Sequence, residues 1–355
     1  MLERKLVQLA VQGLTQEDYP SFVKPNCLNA RQRKHPCQVC VDVCPTGAMM
    51  RPAGQKADWD KCIVCNLCVA RCPSAAIAPS YQDFKRILRL FTTRRETRFI
   101  ACEKSTSEAD WAPWCLGVIS WEILASLALS GKALVERAAC EGCDRAQYLS
   151  GFDQALSLAC QFLGEDFFTT RLSVLPVGEA LPGLDLTRRE AFRSLTRGAG
   201  AGMEALMPQD AKLGNNPLFP RRLLLRQVYQ SAESANSPKA FTWPTPLVDS
   251  AVCWGCGICE SACPHQALKV YLAPREDRRY LLHYPHRCTA CGLCQAVCPD
   301  KAITGFGAGE LPGHVKCFIN PAVTTHCARC GGPVKPDQAG QACTRCLAGN
   351  LNRRR

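Results

Sequence analysis

Two short cysteine-rich segments in the C-terminal third contain the most specific chemical pattern of this sequence. They read CWGCGICESACP from Cys253 and CTACGLCQAVCP from Cys288, so each is a copy of C-x2-C-x2-C-x3-C-P. Three thiolates from one tight loop can close around one face of an iron–sulfur cubane while loop amides point at its sulfides. A zinc site rarely has this spacing followed by proline, and here it occurs twice. The pattern predicts two 4Fe–4S clusters in this segment.

The N-terminal region repeats the pattern with one departure. Residues 62–73, CIVCNLCVARCP, form a complete copy, but the preceding copy, CQVCVDVCP from Cys37, has Lys34 at the position of its first ligand. Cys27 is the obvious replacement if residues 28–36 form a looping insertion. Alternatively, Cys27 is a free thiol and the site holds a three-iron cluster.

Both regions resemble bacterial two-cluster ferredoxins, over roughly residues 25–80 and 245–305. In that family the fourth cysteine of each motif binds the cluster of the other motif. The resemblance implies four 4Fe–4S clusters. The N-terminal ligand sets are Cys27, Cys37, Cys40 and Cys72, and Cys62, Cys65, Cys68 and Cys44. The C-terminal ligand sets are Cys253, Cys256, Cys259 and Cys298, and Cys288, Cys291, Cys294 and Cys263.

The segment between these regions predicts a small β–α–β unit. RFIAC and ALVERAA have the pattern of buried strands, and the residues between them have the apolar periodicity of a helix. Four cysteines fall at strand ends or turns, where loops usually carry function. These are Cys102, Cys115, Cys140 and Cys143. Cys160 lies in the apolar stretch ALSLACQFLG and is expected in the core.

The spacing of these four cysteines, C-x12-C-x24-C-x2-C, is similar to that of thioredoxin-like 2Fe–2S proteins, although the gap and the final pair are shorter. WCLGVISWEILASLALSGK followed by AACEGCDRAQY also resembles the delta subunit of methyl-viologen-reducing hydrogenases, an electron-bridging protein, over about fifty residues. These resemblances imply a fifth redox centre, a 2Fe–2S cluster, or a docking surface for a redox partner. The residue types also permit zinc or metal-free buried cysteines.

The C-terminal tail contains C-x2-C-x12-C-x2-C, a zinc-ribbon pattern. Its four cysteines are Cys327, Cys330, Cys343 and Cys346. Four thiolates leave no open position for water, so we expect one structural Zn²⁺, with a rubredoxin-like iron as the alternative. His326 adjoins the first pair and is a substitute ligand, whereas Cys317 has no assignment.

Residues 171–244 have no metal-ligand spacing and predict a linker with two basic helices, near REAFRSL and RRLLLRQVY. Such helices either lie across a module with their basic side chains in solvent, or they bind an acidic partner.

Composition limits the class of protein. The chain has 355 residues, a net charge of +12 and 26 cysteines. Aromatic and branched residues throughout exclude a collagenous or disordered chain. The longest apolar stretch, residues 115–135, contains Glu122 and Lys132, so no membrane span is expected. The N-terminal residues do not have the pattern of an export signal, so we expect none, and three-residue cysteine steps suit metals better than disulfides. We therefore expect a reducing, anaerobic cytoplasm.

These patterns predict an α+β protein with two ferredoxin-like dicluster modules, a βαβ middle domain and a zinc ribbon. The expected boundaries are 1–82 for the first module, 83–170 for the middle domain, 171–244 for the linker, 245–312 for the second module and 313–355 for the tail.

No nucleophile elbow, G-x-G-x-x-G after a strand, P-loop or helical H-E-x-x-H is present, so we expect an electron carrier without its own catalytic site. The sequence predicts a polyferredoxin that relays low-potential electrons. By resemblance of the middle segment, its partner is a hydrogenase, formate dehydrogenase or heterodisulfide-reductase-like complex. Two alternatives are a cluster assembly factor and a nucleic-acid-binding iron–sulfur protein, the latter disfavoured because no basic patch is interleaved with aromatic residues.

Overall fold

A computed structural model describes residues 19–32, 36–51, 56–92, 95–181, 220–231, 241–273, 278–311 and 317–323, with parts of the tail between 325 and 346. The chain divides into two compact units, Met1–Thr242 and Trp243–Arg355. Helices and strands are mixed in both units. Among the described residues, no helix has the length and apolar character needed to span a membrane.

The first unit begins with a small module of short elements around the N-terminal cysteines. Its strands are β1 (Ser21–Phe22), β2 (Met49–Arg51), β3 (Lys56–Ala57) and β4 (Ile77–Ala78). Its helices are α1 (Leu28–Arg31), α2 (Val39–Asp42), α3 (Leu67–Arg71) and α4 (Tyr81–Thr92). β1 pairs with β4 and β2 with β3, both antiparallel. Cys40, Met49, Val69 and Ile77 form the buried centre of the module, so cysteines replace much of the usual aliphatic core.

A parallel three-stranded sheet follows in the same unit. Its strands are β5 (Thr97–Ile100), β6 (Lys132–Val135) and β7 (Leu172–Val174), in the order β5-β6-β7. The connecting helices are α5 (Trp121–Ser130), α6 (Leu149–Leu163) and α7 (Glu165–Arg171). β5, α5 and β6 form a parallel β–α–β unit at the segments for which the sequence predicted one. Cys160, expected in the core, is only half-buried on α6.

Helix α5 is buried on every side from Glu122 to Leu129. A helix with this pattern needs neighbours all around it. They are α6, α7, the strands β6 and β7, and an additional helix, α8 (Pro220–Ser231), which buries Leu224, Leu225 and Val228.

An ion pair joins α8 to α5 inside this core. The Arg222 guanidinium, 2% exposed, lies 3.5 Å from a carboxylate oxygen of Glu122, 4% exposed, and over the ring of Trp121 at 4.7 Å. A buried charge without a partner is costly, and separating α8 from α5 would leave both charges unpaired. The pair therefore opposes displacement of one helix along the other.

The structure therefore differs from the predicted linker. Residues 172–174 form a strand of the sheet, and RRLLLRQVY lies within a helix of the domain core, since its leucines pack inward and Arg222 is paired. The other predicted helix, REAFRSL, lies outside the described residues.

The second unit contains a larger version of the first module. Its strands are β8 (Phe241–Val248), β9 (Leu268–Ala273), β10 (Arg278–His283), β11 (Ile303–Leu311) and β12 (Cys317–Val323), and its helices are α9 (Ile258–Ala262) and α10 (Leu293–Val297). β8 pairs with β11, and β10 lies between β9 and β12. Cys317, unassigned from sequence, pairs with His283 in this sheet, so residues 317–323 belong to the sheet and not to the predicted tail.

Candidate metal centres

Cysteines of the two C-terminal motifs lie close to one another. Burial raises the pKa of Cys259 to about 12, and the charges of Cys256, Cys253 and Cys298 raise it too. Burial likewise raises the pKa of Cys294, with contributions from Cys288, Cys291, Cys263 and then Cys259. Cys298 and Cys263 therefore lie close to cysteines of the other motif, as the predicted exchange of fourth ligands requires. The effect of Cys259 on Cys294 also shows that the two sets are adjacent.

The N-terminal cysteines have the same arrangement. Burial raises the pKa of Cys65 to about 11, and Cys44 and Cys62 raise it further. The pKa of Cys68 is raised well above its ordinary value by burial, then by Cys65, Cys62, Cys40 and Cys44. Cys44 thus lies among the cysteines of the second motif, and Cys40 lies beside Cys68 as Cys259 does beside Cys294.

Cys27 lies with the incomplete motif. Burial raises the pKa of Cys37, and the charges of Cys72 and Cys27 act on it in the same direction. Cys27 is buried immediately before α1, and the Asn29 amide donates to the Cys37 carbonyl oxygen at 2.5 Å. The structure therefore places Cys27, Cys37 and Cys72 near one another, although ten positions separate the first two.

In three motifs the helix ends at the fourth cysteine, which is followed by proline. A residue before proline avoids the helical region, and Cys72, Cys263 and Cys298 have ψ angles of 114°, 118° and 115°. The chain then turns through a left-handed residue three positions after the cysteine. These residues are Gly47, Ala75, Gln266 and Lys301.

Backbone amides point at the sulfurs in a repeated pattern. The amide four positions after a fourth cysteine donates to its Sγ, from Ala76 to Cys72 at 3.1 Å and from Ala267 to Cys263 and Ala302 to Cys298 at 3.2 Å. Burial raises the pKa of Cys44, but backbone hydrogen bonds from Met49, Thr46 and Ala48 lower it overall. Such bonds favour a thiolate, the form that binds metals.

The middle cysteines come together in one small pocket. Cys102 and Cys115 are buried, Cys140 and Cys143 are half-buried, and all four line the pocket with Trp114 and Arg145 among others. Burial raises the pKa of Cys140 to about 11, with contributions from the three other cysteines. The amides of Gly117 and Arg145 each donate to a cysteine Sγ two positions earlier, at 3.4 Å, as the Ala290 amide does to Cys288 in a C-terminal motif.

Cationic side chains surround this middle pocket. The Arg145 guanidinium donates to the Trp114 carbonyl oxygen, pairs with Glu103 at 2.7 Å and lies 4.0 Å from the centre of the Trp114 ring. Lys104 also lines the pocket and pairs with Asp144. Positive charge at this position favours a net negative group bound by thiolates.

The distances between cysteine sulfurs differ between the middle pocket and the tail. A tetrahedral zinc ion with bonds of about 2.3 Å places its sulfurs about 3.8 Å apart. In the tail, the Sγ atoms of Cys327 and Cys346 are 3.8 Å apart, and those of Cys327, Cys330 and Cys346 all lie within 4.8 Å of one another. No other group of three potential ligand atoms is so compact in the part of the chain that the structure describes, which includes all four middle cysteines.

The tail triad fits a single ion. The Arg329 amide donates to Cys327 Sγ at 3.4 Å, and Val334 packs against Cys327 and Cys346. Cys343, the expected fourth ligand, lies outside the described residues. His326 is exposed, and its Nδ1 lies 3.1 Å from the Gly331 carbonyl oxygen, so the structure gives it another partner.

Trp114 and Arg145 are the pocket residues that the sequence analysis missed. Trp114 directly precedes Cys115, and Arg145 follows Cys143 by two positions. Their closeness in sequence to predicted site cysteines was the signal that could have identified them. Their contact with each other depends on the fold, because 31 positions separate them.

Two parts of the chain match known protein families. Residues 252–303 match the family described as 4Fe-4S dicluster domain, and residues 56–78 match the 4Fe-4S binding domain. No curated protein and no solved structure matches the chain significantly. The two ferredoxin-type domains support a ferredoxin-like iron–sulfur protein that transfers electrons. The middle domain, Cys27 and the tail lie outside the matched residues.

Proposed function

We propose that this ferredoxin-like iron–sulfur protein is a polyferredoxin, which relays low-potential electrons to or within an oxidoreductase complex. The observation that supports this best is the arrangement of the ferredoxin-motif cysteines in adjacent sets, with fourth cysteines exchanged between motifs. Adjacent sets suit a relay, because electron transfer requires short distances between centres.

The proposed ligands are the sixteen cysteines of the four sets predicted from sequence. A bound 4Fe–4S cluster supplies one-electron transfer. Four thiols per set are sufficient for all four irons, so a substrate finds no open coordination position. Burial of the thiols and the amide bonds to their sulfurs are the means by which the chain sets the reduction potential.

We further propose an iron–sulfur cluster, of the 2Fe–2S type, held by Cys102, Cys115, Cys140 and Cys143. The shared pocket, the amide bonds to Cys115 and Cys143 and the nearby arginine and lysine fit a thiolate-bound, negatively charged group. The four sulfurs are not as compact as the tail triad, and this favours a cluster over a single zinc ion.

For the tail we propose one Zn²⁺ bound by Cys327, Cys330, Cys343 and Cys346. The 3.8 Å sulfur separation fits a tetrahedral ion. With thiolate ligands alone, such an ion holds the tail together and performs no catalysis.

The proposed partner is a redox enzyme such as a hydrogenase, formate dehydrogenase or heterodisulfide-reductase-like complex. This rests on the resemblance of the middle segment to a hydrogenase delta subunit, and a reducing, anaerobic cytoplasm suits the abundance of free thiols.

Metal analysis of the anaerobically purified chain tests these assignments. We expect about eighteen irons with matching sulfide if the middle pocket holds a 2Fe–2S cluster, and about sixteen if it does not. One zinc per chain is expected for the tail. Fewer than about ten irons would contradict the four-cluster proposal. A Cys140→Ala/Cys143→Ala variant isolates the middle centre, because it should lose about two irons and keep the rest.

A further inference from the structure

We propose that Trp114 is the electron bridge between the middle pocket and the N-terminal cluster of Cys62, Cys65, Cys68 and Cys44. This inference rests on the proposed function, since it requires an iron–sulfur centre at both ends. It adds the order in which electrons pass between the centres, which the motifs alone do not reveal.

On one side, Trp114 contacts the N-terminal cluster site. Its ring packs against a buried group formed by Cys65, Leu67 and Val118, and Cys65 is a proposed ligand. Tyr148 belongs to the same contact, with its ring 5.8 Å from that of Trp114. The turn at Leu116–Val118 packs against α3, so the contact belongs to the interior of the first unit.

On the other side, Trp114 forms part of the middle pocket. It lines the pocket together with the four cysteines, and it precedes Cys115 in the chain. Next to this side of the pocket, the backbone at Gly117 packs closely against Tyr148. A Cβ at position 117 would clash with the Tyr148 carbonyl oxygen. One residue thus packs against the buried group that includes a proposed ligand of one centre, and it directly precedes a proposed ligand of the other.

Electron tunnelling falls off exponentially with distance, and more slowly through packed or bonded atoms than through a gap. The Trp114 side chain supplies such atoms, because it packs against the buried group that includes Cys65 and lines the pocket that includes Cys115. The Arg145 guanidinium, 4.0 Å from the ring centre, lowers the energy of an added electron on the ring and opposes its loss of an electron. The ring therefore suits the passage of an electron without being oxidised itself.

The transfer is a simple one-electron exchange. The reduced N-terminal 4Fe–4S cluster loses one electron, the oxidised middle iron–sulfur centre gains it, and no bond or proton is transferred. Because Cys40 lies beside Cys68, the set that includes Cys27 is next in line. The resulting order is the Cys27 set, the Cys62 set and then the middle centre, in either direction of flow.

The test measures electron equilibration in the full-length, metal-loaded protein. A light-activated reductant delivers one electron per chain, and rapid freezing with electron paramagnetic resonance follows its distribution between the 4Fe–4S and middle centres. We expect Trp114→Leu to slow equilibration by an order of magnitude or more, and Trp114→Phe to restore much of the rate. Iron content and the reduction potentials of both centres should stay at wild-type values.

Trp111→Leu is the matched control. Trp111 lies three positions away and lines a cavity of about 260 Å³ beside Trp114, but it does not line the four-cysteine pocket. This variant should equilibrate at the wild-type rate. An unchanged rate in Trp114→Leu, or equal slowing in Trp111→Leu, overturns the bridge and leaves the proposed function intact. A wild-type middle pocket without iron overturns the middle cluster and the bridge together.

Discussion

The N-terminal and C-terminal dicluster modules bring their cysteines together in the same pattern from unequal sequences. In the C-terminal module both motifs are complete, and glycine occupies three of the four left-handed positions between their cysteines, Gly255, Gly257 and Gly292. In the N-terminal module, Val64 and Asn66 adopt this conformation in the complete motif, at φ 53° and 63°. The incomplete motif has Gln38 at φ −127° instead.

This difference shows which parts of the motif are essential to the arrangement. Side chains between the cysteines vary even where the backbone strongly favours glycine, whereas the last three thiols of every motif and the following proline are retained. The left-handed region costs an ordinary side chain about 1–2 kcal/mol. Metal-ligand bonds are strong enough to offset such a cost, and we infer that they fix the loops in both modules.

Removing two thiols from a complete motif should have the largest effect. Cys256→Ala/Cys259→Ala leaves two of the four proposed ligands, too few for a cubane, so we expect the loss of about four irons per chain. Metal analysis and the visible absorbance of the anaerobic protein measure this. A variant with wild-type iron content would show that these thiols are not ligands.

Cys27→Ala should have a smaller effect, because it removes a ligand that lies outside the tight loop. We expect the loss of about one iron and the electron paramagnetic resonance signal of an oxidised three-iron cluster. Cys160→Ala, which removes a half-buried cysteine without a predicted ligand role, is the control. If Cys27→Ala has the same spectrum as the control, Cys27 is not a ligand and the two modules differ in cluster content.

Gly255→Val introduces the N-terminal residue type into the C-terminal loop. At φ 71° a valine is strained, and its Cβ would lie 3.1 Å from the Cβ of Arg279. We expect the free energy of unfolding to fall by about 2 kcal/mol. Anaerobic urea denaturation followed by cluster absorbance gives the value, with Trp254→Val as a neighbouring control. Equal midpoints for Gly255→Val and wild type would show that the loop tolerates any residue.

Val64→Gly is the reverse exchange and should have the smallest effect. It relieves the strain at φ 53°, but glycine loses more backbone freedom on folding, which offsets part of the gain. We expect the free energy of unfolding to rise by less than about 1 kcal/mol. The same denaturation experiment applies, and Ile63→Gly, next to the strained position, should destabilise. A lower midpoint for Val64→Gly would argue against strain in this loop.

The 4Fe–4S character of the two matched segments was predictable from sequence because the chemistry of the motifs is local. Three proposed ligands of each complete motif lie within seven consecutive residues, and proline marks the fourth. The strands β5 and β6 were also predictable, since their side chains alternate between buried and partly exposed positions.

Long-range contacts explain what the sequence did not reveal. Helix α8 has four charged or polar residues among PRRLLLRQVY, and within the core its Arg222 pairs with Glu122, which precedes it by 100 positions. β7 has only three residues and β12 contains Pro321, and both strands pair with distant partners, so no local pattern distinguishes them from loops. The packing of Trp114 against the buried group that includes Cys65 is also a long-range contact.

A redox titration of the anaerobically purified protein tests the central claim, that the thiol sets hold clusters for electron transfer. Stepwise reduction, monitored by electron paramagnetic resonance, should yield signals of magnetically coupled 4Fe–4S pairs at low potential and return to the starting spectrum on reoxidation. A colourless protein, or a coloured one that accepts no electrons, would contradict the account.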